Sequence, residues 1–148
     1  MENILLILHI ASAVLFIGPV MVSTSAFGKQ ALAASAGDAR AEGVAANLYG
    51  ITKVYGWLSA LVPVLGIILL VVEWDSLSDS YNFHAALTLG VIAWIVLLAL
   101  IIPKQKKTVA ALAANDATYN FAKAKSQSAM FGGIFNLLWI ITFILMFF

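Results

Sequence analysis

Four long stretches without Asp, Glu, Lys or Arg govern what this chain can fold into: Asn3–Gly28, Val54–Val72, Ser80–Pro103 and Ser126–Phe148. A hydrocarbon layer of ~30 Å, crossed at ~1.5 Å per helical residue, needs roughly 20 apolar residues. Each stretch reaches that length or falls one residue short, and each has an interior of Leu, Ile, Val and Phe, as in Leu65–Val72 and Leu137–Phe148. Strands of a membrane barrel would alternate polar and apolar residues, and these stretches do not. Backbone groups in lipid must be satisfied within their own segment, which leaves helices. The sequence therefore predicts an all-α membrane protein, one four-transmembrane-helix domain over 1–148, with spans over about 4–27, 53–73, 82–103 and 126–148. The composition agrees: 63% of residues are hydrophobic and 10% charged, against about 25% charged in a soluble domain. The first stretch is expected to stay in the protein, because Met1-Glu2-Asn3 lacks the basic start of a signal peptide and the apolar run is too long for one.

The charges are placed one-sidedly. All basic side chains lie in two of the three connections: Lys29, Arg40 and Lys53 in the first, and Lys104, Lys106, Lys107, Lys123 and Lys125 in the third. Set against Asp38, Glu42 and Asp116 on the same side, they leave +5 there, while Glu2, Glu73, Asp75 and Asp79 put −4 on the other. Short loops rich in Lys and Arg remain cytoplasmic. The expected topology places both long connections inside and both the N- and C-termini on the non-cytoplasmic side of a bacterial plasma membrane. The lysines are thereby explained without nucleic acid.

The long connections are rich in alanine, the strongest helix former, over Lys29–Ala36, Ala39–Leu48, Lys106–Ala114 and Ala117–Gln127. Each has one turn signal, Gly37-Asp38 or Asn115-Asp116. Spans that run on as helix, turn and return as the next span form two helical hairpins, with Pro103 bending the third helix where it leaves the lipid. The alternative, a helix flat on the inner leaflet, needs a strong apolar face, and Val109, Leu112 and Phe121 supply only a thin one. Trp74 and Tyr81 flank the short outer connection, as interfacial aromatics do. His9 and His84 each sit near the outer start of an odd-numbered span, the one residue-level hint that the two halves repeat each other.

Few residues are equipped for chemistry. An ionisable group inside a span is a functional candidate by default, and His9 lies about one and a half turns into the first. Two readings stand: a neutral imidazole bonded to a neighbouring helix or interfacial water, or an axial haem ligand with His84 as its mate. Asn136 is the amide deep in the fourth span, and such residues bridge helices for roughly 0.6–2 kcal/mol. Ala129, Gly132, Gly133 and Asn136, with Gly56 and Ala60 in the second span and Ala86, Gly90 and Ala93 in the third, read as helix-packing seams. Pro19 and Pro63 interrupt the first and second spans and can kink them. No metal-ligand spacing, phosphate loop or nucleophile motif occurs.

The opening Leu8-His9-Ile10-Ala11-Ser12-Ala13-Val14-Leu15-Phe16-Ile17-Gly18 resembles the first helix of small four-span bacterial membrane proteins of the CopD and HemJ type. A His early in the first span, then small residues and a Gly, carries the resemblance. It implies haem b as cofactor with His9 as the matching residue. HemJ-like activity also wants further polar residues in the spans, and this sequence largely lacks them. The Ala-rich, Cys-free style also resembles small accessory subunits of actinobacterial respiratory (cytochrome bc-oxidase) supercomplexes, which implies other integral membrane subunits as partners.

Three functions follow. The near-absence of reactive groups beside several packing seams favours a non-catalytic accessory subunit without a cofactor, in contact with membrane lipids and other subunits. A haem b redox protein using His9 and His84 is the alternative. A small transporter or channel comes last, because the spans hold no charged coupling site. A reporter that is active only in the cytoplasm, fused after Phe148, should be silent. An active fusion would reverse the topology.

Overall fold

The computed structural model describes residues 2–147, without the side chains of Glu2 and Asn3. Phe148, the expected end of the last span, and Met1 lie outside the described residues. Four helices are long and apolar enough to cross a membrane: Ile4–Ser35, Ala39–Val72, Tyr81–Ala113 and Phe121–Leu145. No strand occurs among the described residues. The first helix packs along the second and the fourth, and the third packs along the fourth.

Two packed clusters hold the bundle. One joins Ile17, Val20, Val62, Ala93, Leu97 and Phe135 from all four helices. The other, between the turns at 36–38 and 114–120, joins Phe27, Ala31, Ala45 and Leu112. Outward-facing side chains such as Ile7, Val14, Val22, Val71, Leu137 and Phe143 are exposed. An apolar shell of this kind suits hydrocarbon as its solvent.

The three prolines are accommodated in two ways. A proline has no N–H, and its ring clashes with the carbonyl four residues back. Ahead of Gly18-Pro19 and of Ile102-Pro103 the helix widens into a π-type turn, Ala13–Ile17 and Leu97–Ile101, which opens room for the ring. The expected bend at Pro103 thus takes the form of a wider turn in a helix that continues to Ala113. At Pro63 the winding tightens instead. The Ala60 amide donates to the Trp57 carbonyl (3.1 Å), and the Val62 amide donates to the Ser59 carbonyl (3.1 Å). Ala60 therefore no longer bonds the Gly56 carbonyl. Trp94 Nε1 on the third helix donates to that carbonyl at 3.2 Å, and Ser59 Oγ donates to it at 2.7 Å.

The first long connection is a tight turn. Gly37 has φ 97°, open to glycine without strain, and the Asp38 carboxylate accepts from the Ala41 amide (3.0 Å) to start the second helix. The second connection departs from expectation. Helix stops at Ala113 and resumes only at Phe121, so 117–120, expected as helix, are not. Asp116 accepts from the Thr118 amide (2.9 Å) and hydroxyl (2.7 Å), which holds its carboxyl below the usual range. Thr108 and Tyr119 share a hydroxyl bond of 2.8 Å, and Asn120 caps the fourth helix through the Lys123 amide (2.8 Å). Such side chains offer the backbone local bonds that compete with helix.

The Gly56–Trp94 bond locks the tightened turn of the second helix to the third. Trp94→Phe keeps an aromatic side chain and removes the donor together with the pyrrole half of the indole. It should lower the unfolding free energy in detergent by about 1 kcal/mol, read as a lower melting temperature in circular dichroism.

Candidate functional site

His9 lies on the buried face of the first helix, in line with Ser12, Val20, Thr24 and Phe27, and is 5% exposed. Ser12 Oγ donates to the His9 carbonyl at 2.7 Å. Opposite the imidazole stands Gly66 of the second helix, where an added Cβ would lie 3.3 Å from His9 Cε1. The missing side chain makes the space for the ring. Phe83, Ala86, Leu87 and Gly90 of the third helix and Trp139, Thr142 and Met146 of the fourth complete a cavity of about 20 Å³. Gly90 receives the edge of the Trp139 ring, 3.5 Å from an added Cβ. All four helices therefore converge on one imidazole.

This arrangement does not fit a haem. The cavity has room for about one water, since such a molecule needs ~10–15 Å³ by the same measure, and a macrocycle has no plane in which to lie. His84 does not line it. Its Nε2 instead donates to the Ser78 carbonyl at 2.9 Å, closing the short connection in which Trp74–Leu77 forms one helical turn. The two histidines thus have different tasks, one inside the bundle and one at its end. No group of three His, Cys, Asp or Glu able to hold a metal occurs among the described residues.

The seam residues divide. Gly132 faces inward, where an added Cβ would lie 3.3 Å from the Thr24 carbonyl oxygen. Gly56 likewise receives Leu97 and Ile102, each 3.1 Å from an added Cβ. Ala86 and Ala93 are fully buried, and Ala60 is half-buried. Gly133, expected beside Gly132, turns outward with nothing within 4 Å, because successive residues on a helix stand ~100° apart. Asn136 Nδ2 donates to Ser25 Oγ at 2.9 Å. The pair lies in an open surface groove with Met21, Val22 and Ala26.

Sequence reasoning missed Gly66, Trp139 and Thr142, because what marks them is the helix each faces. It also did not single out Gln105, whose side chain is 1% exposed. Comparison of the chain with protein-family models, with curated proteins and with solved structures finds no match.

A Val in place of Gly66 would displace the imidazole. Gly66→Val should destabilise the protein by about 1–3 kcal/mol, and His9→Ala in the same chain should recover part of that loss. Additive effects in the double mutant would show that the two residues are not in contact.

Proposed function

We propose that this protein is a non-catalytic accessory subunit of a larger complex in a bacterial plasma membrane. A respiratory-chain supercomplex is the kind of assembly its Ala-rich, Cys-free style resembles. In this reading the helices form two hairpins whose long connections face the cytoplasm, with both termini outside.

The observation that carries the proposal is the outward stripe of the fourth helix. Ala129, Gly133, Asn136 and Ile140 fall within an arc of about 60°. Ala129, Gly133 and Ile140 are exposed. Small residues four apart on a membrane-facing surface let another helix approach closely. Beside them Ser25 is exposed in an otherwise apolar shell. Its hydroxyl donates to the Met21 carbonyl (2.7 Å) and accepts from Asn136. A second lone pair remains for a donor on a neighbouring helix, which lipid cannot supply.

The two adjacent glycines give a controlled test. Gly133→Ile adds a side chain where nothing stands within 4 Å, so the fold should persist, while particles purified from native membranes in gentle detergent should lose this 15.8 kDa subunit. Gly132→Ile should damage the fold itself. Asn136→Leu should weaken assembly by about 1 kcal/mol, and His9→Ala should leave assembly in place. A wild-type chain that always runs as a lone monomer refutes the accessory role.

A further inference from the structure

At the basic end of the bundle, two side-chain rungs tie the third helix to the fourth. Lys104 Nζ donates to Gln127 Oε1 at 3.0 Å, and one turn further out Thr108 and Tyr119 share their hydroxyl bond of 2.8 Å. Two exposed lysines stand between the rungs. Lys107 is three residues from Lys104 and Lys123 is four from Gln127, spacings at which side chains on one helix are neighbours. Counted at ~100° per residue from the buried Gln105 and Ala124, Lys107 lies beyond Lys104 and Lys123 beyond Gln127, both on the outer side of the seam. Lys104 follows directly on the uncharged stretch Ser80–Pro103. Its ammonium lies over the Phe131 ring, 5.4 Å from the centroid, and so points back toward the apolar part of the fourth helix. On the same flank Met130 and Ile134 are exposed. Neither helix, Tyr81–Ala113 or Phe121–Leu145, carries an Asp or Glu. Of the acids at this end, Asp116 is held by Thr118, and Asp38 caps the second helix.

We propose that this groove binds the headgroup of one acidic phospholipid, with an acyl chain lying along Phe131, Met130 and Ile134. Three ammonium groups gather where the uncharged stretches end, and an apolar trough continues below them. The Lys104 ammonium has three N–H donors and gives one to Gln127, which leaves two for a phosphodiester. Lys107 and Lys123 reach the same headgroup from either side, their stems lying on apolar surface. Basic pockets between spans recognise acidic headgroups by this combination. A zwitterionic lipid brings its own cation and leaves the ammonium groups uncompensated. A soluble phosphate has no chain for the trough. The stripe of Ala129, Gly133 and Asn136 lies about 110° further round the fourth helix, so the lipid site does not depend on the accessory role.

The test is photolabelling of the full chain in nanodiscs of phosphatidylcholine that contain a minor fraction of phosphatidylglycerol with a diazirine high on its acyl chain. Mass spectrometry of the digested chain maps the label. It should concentrate on 100–107 and 123–134, and unlabelled phosphatidylglycerol should compete while inorganic phosphate should not. Lys107→Gln with Lys123→Gln should lower labelling there, about fivefold for each ammonium removed. Lys29→Gln with Lys53→Gln, on the other two helices, should leave it unchanged. Should the first pair fail to fold, the wild-type map and the competition decide. Label spread evenly over the exposed faces of all four helices, equal losses with both pairs of substitutions, or competition by phosphate alone overturns the proposal.

Discussion

Every backbone N–H and carbonyl inside hydrocarbon must find its partner within the protein, because lipid offers neither donor nor acceptor. This constraint explains both the helices and their irregularities. Pro19 and Pro103 each remove a donor, and the chain widens by a π-type turn just before them. Pro63 is met by tightening, which releases the Gly56 carbonyl to the Trp94 indole. A helix irregularity thereby becomes an interhelical bond. The same constraint acts on side chains: Ser23 and Thr52 share a hydroxyl bond of 2.8 Å between the first two helices, and Asn136 reaches Ser25.

Close approach makes those bonds reachable. Between the first and fourth helices, an added Cβ at Gly28 would lie 3.1 Å from Ser128 Cβ and 3.2 Å from the Lys125 carbonyl oxygen. One turn further along, Gly132 meets the Thr24 carbonyl. Each helix thus gives up a side chain where the other presents its backbone. Where Gly66 gives one up, the space goes to an imidazole. Dispersion contacts of this density replace the hydrophobic drive that helices in lipid lack.

The helices were readable because composition and hydropathy are properties of segments. The four spans and the turn at Gly37-Asp38 needed no tertiary knowledge. The extended turn at 114–120 was not readable, because Ala114 and Ala117 suit a helix as well as a loop, and the side-chain bonds of Asp116, Thr118 and Asn120 decide the matter. At the site, His9 was visible as an ionisable group in an apolar run. Its surroundings were not, since Gly66, Trp139 and Thr142 belong to other helices. His84 looked equivalent to His9 by position, yet its imidazole serves the short connection. Gly132 and Gly133 are neighbours in sequence, yet one faces the first helix and the other faces outward, a distinction only helix phase and packing can make.

The central claim is that the bundle keeps its backbone closed in lipid despite three prolines. Amide hydrogen exchange of the chain in lipid nanodiscs, resolved by residue, tests it most directly. The account predicts four slowly exchanging blocks within the four helices, with Ser59, Ala60 and Val62 protected in the tightened turn and 114–120 exchanging fast. Rapid exchange from Gly56 to Val62, equal to that of 114–120, would show an open break in the second helix and contradict the account.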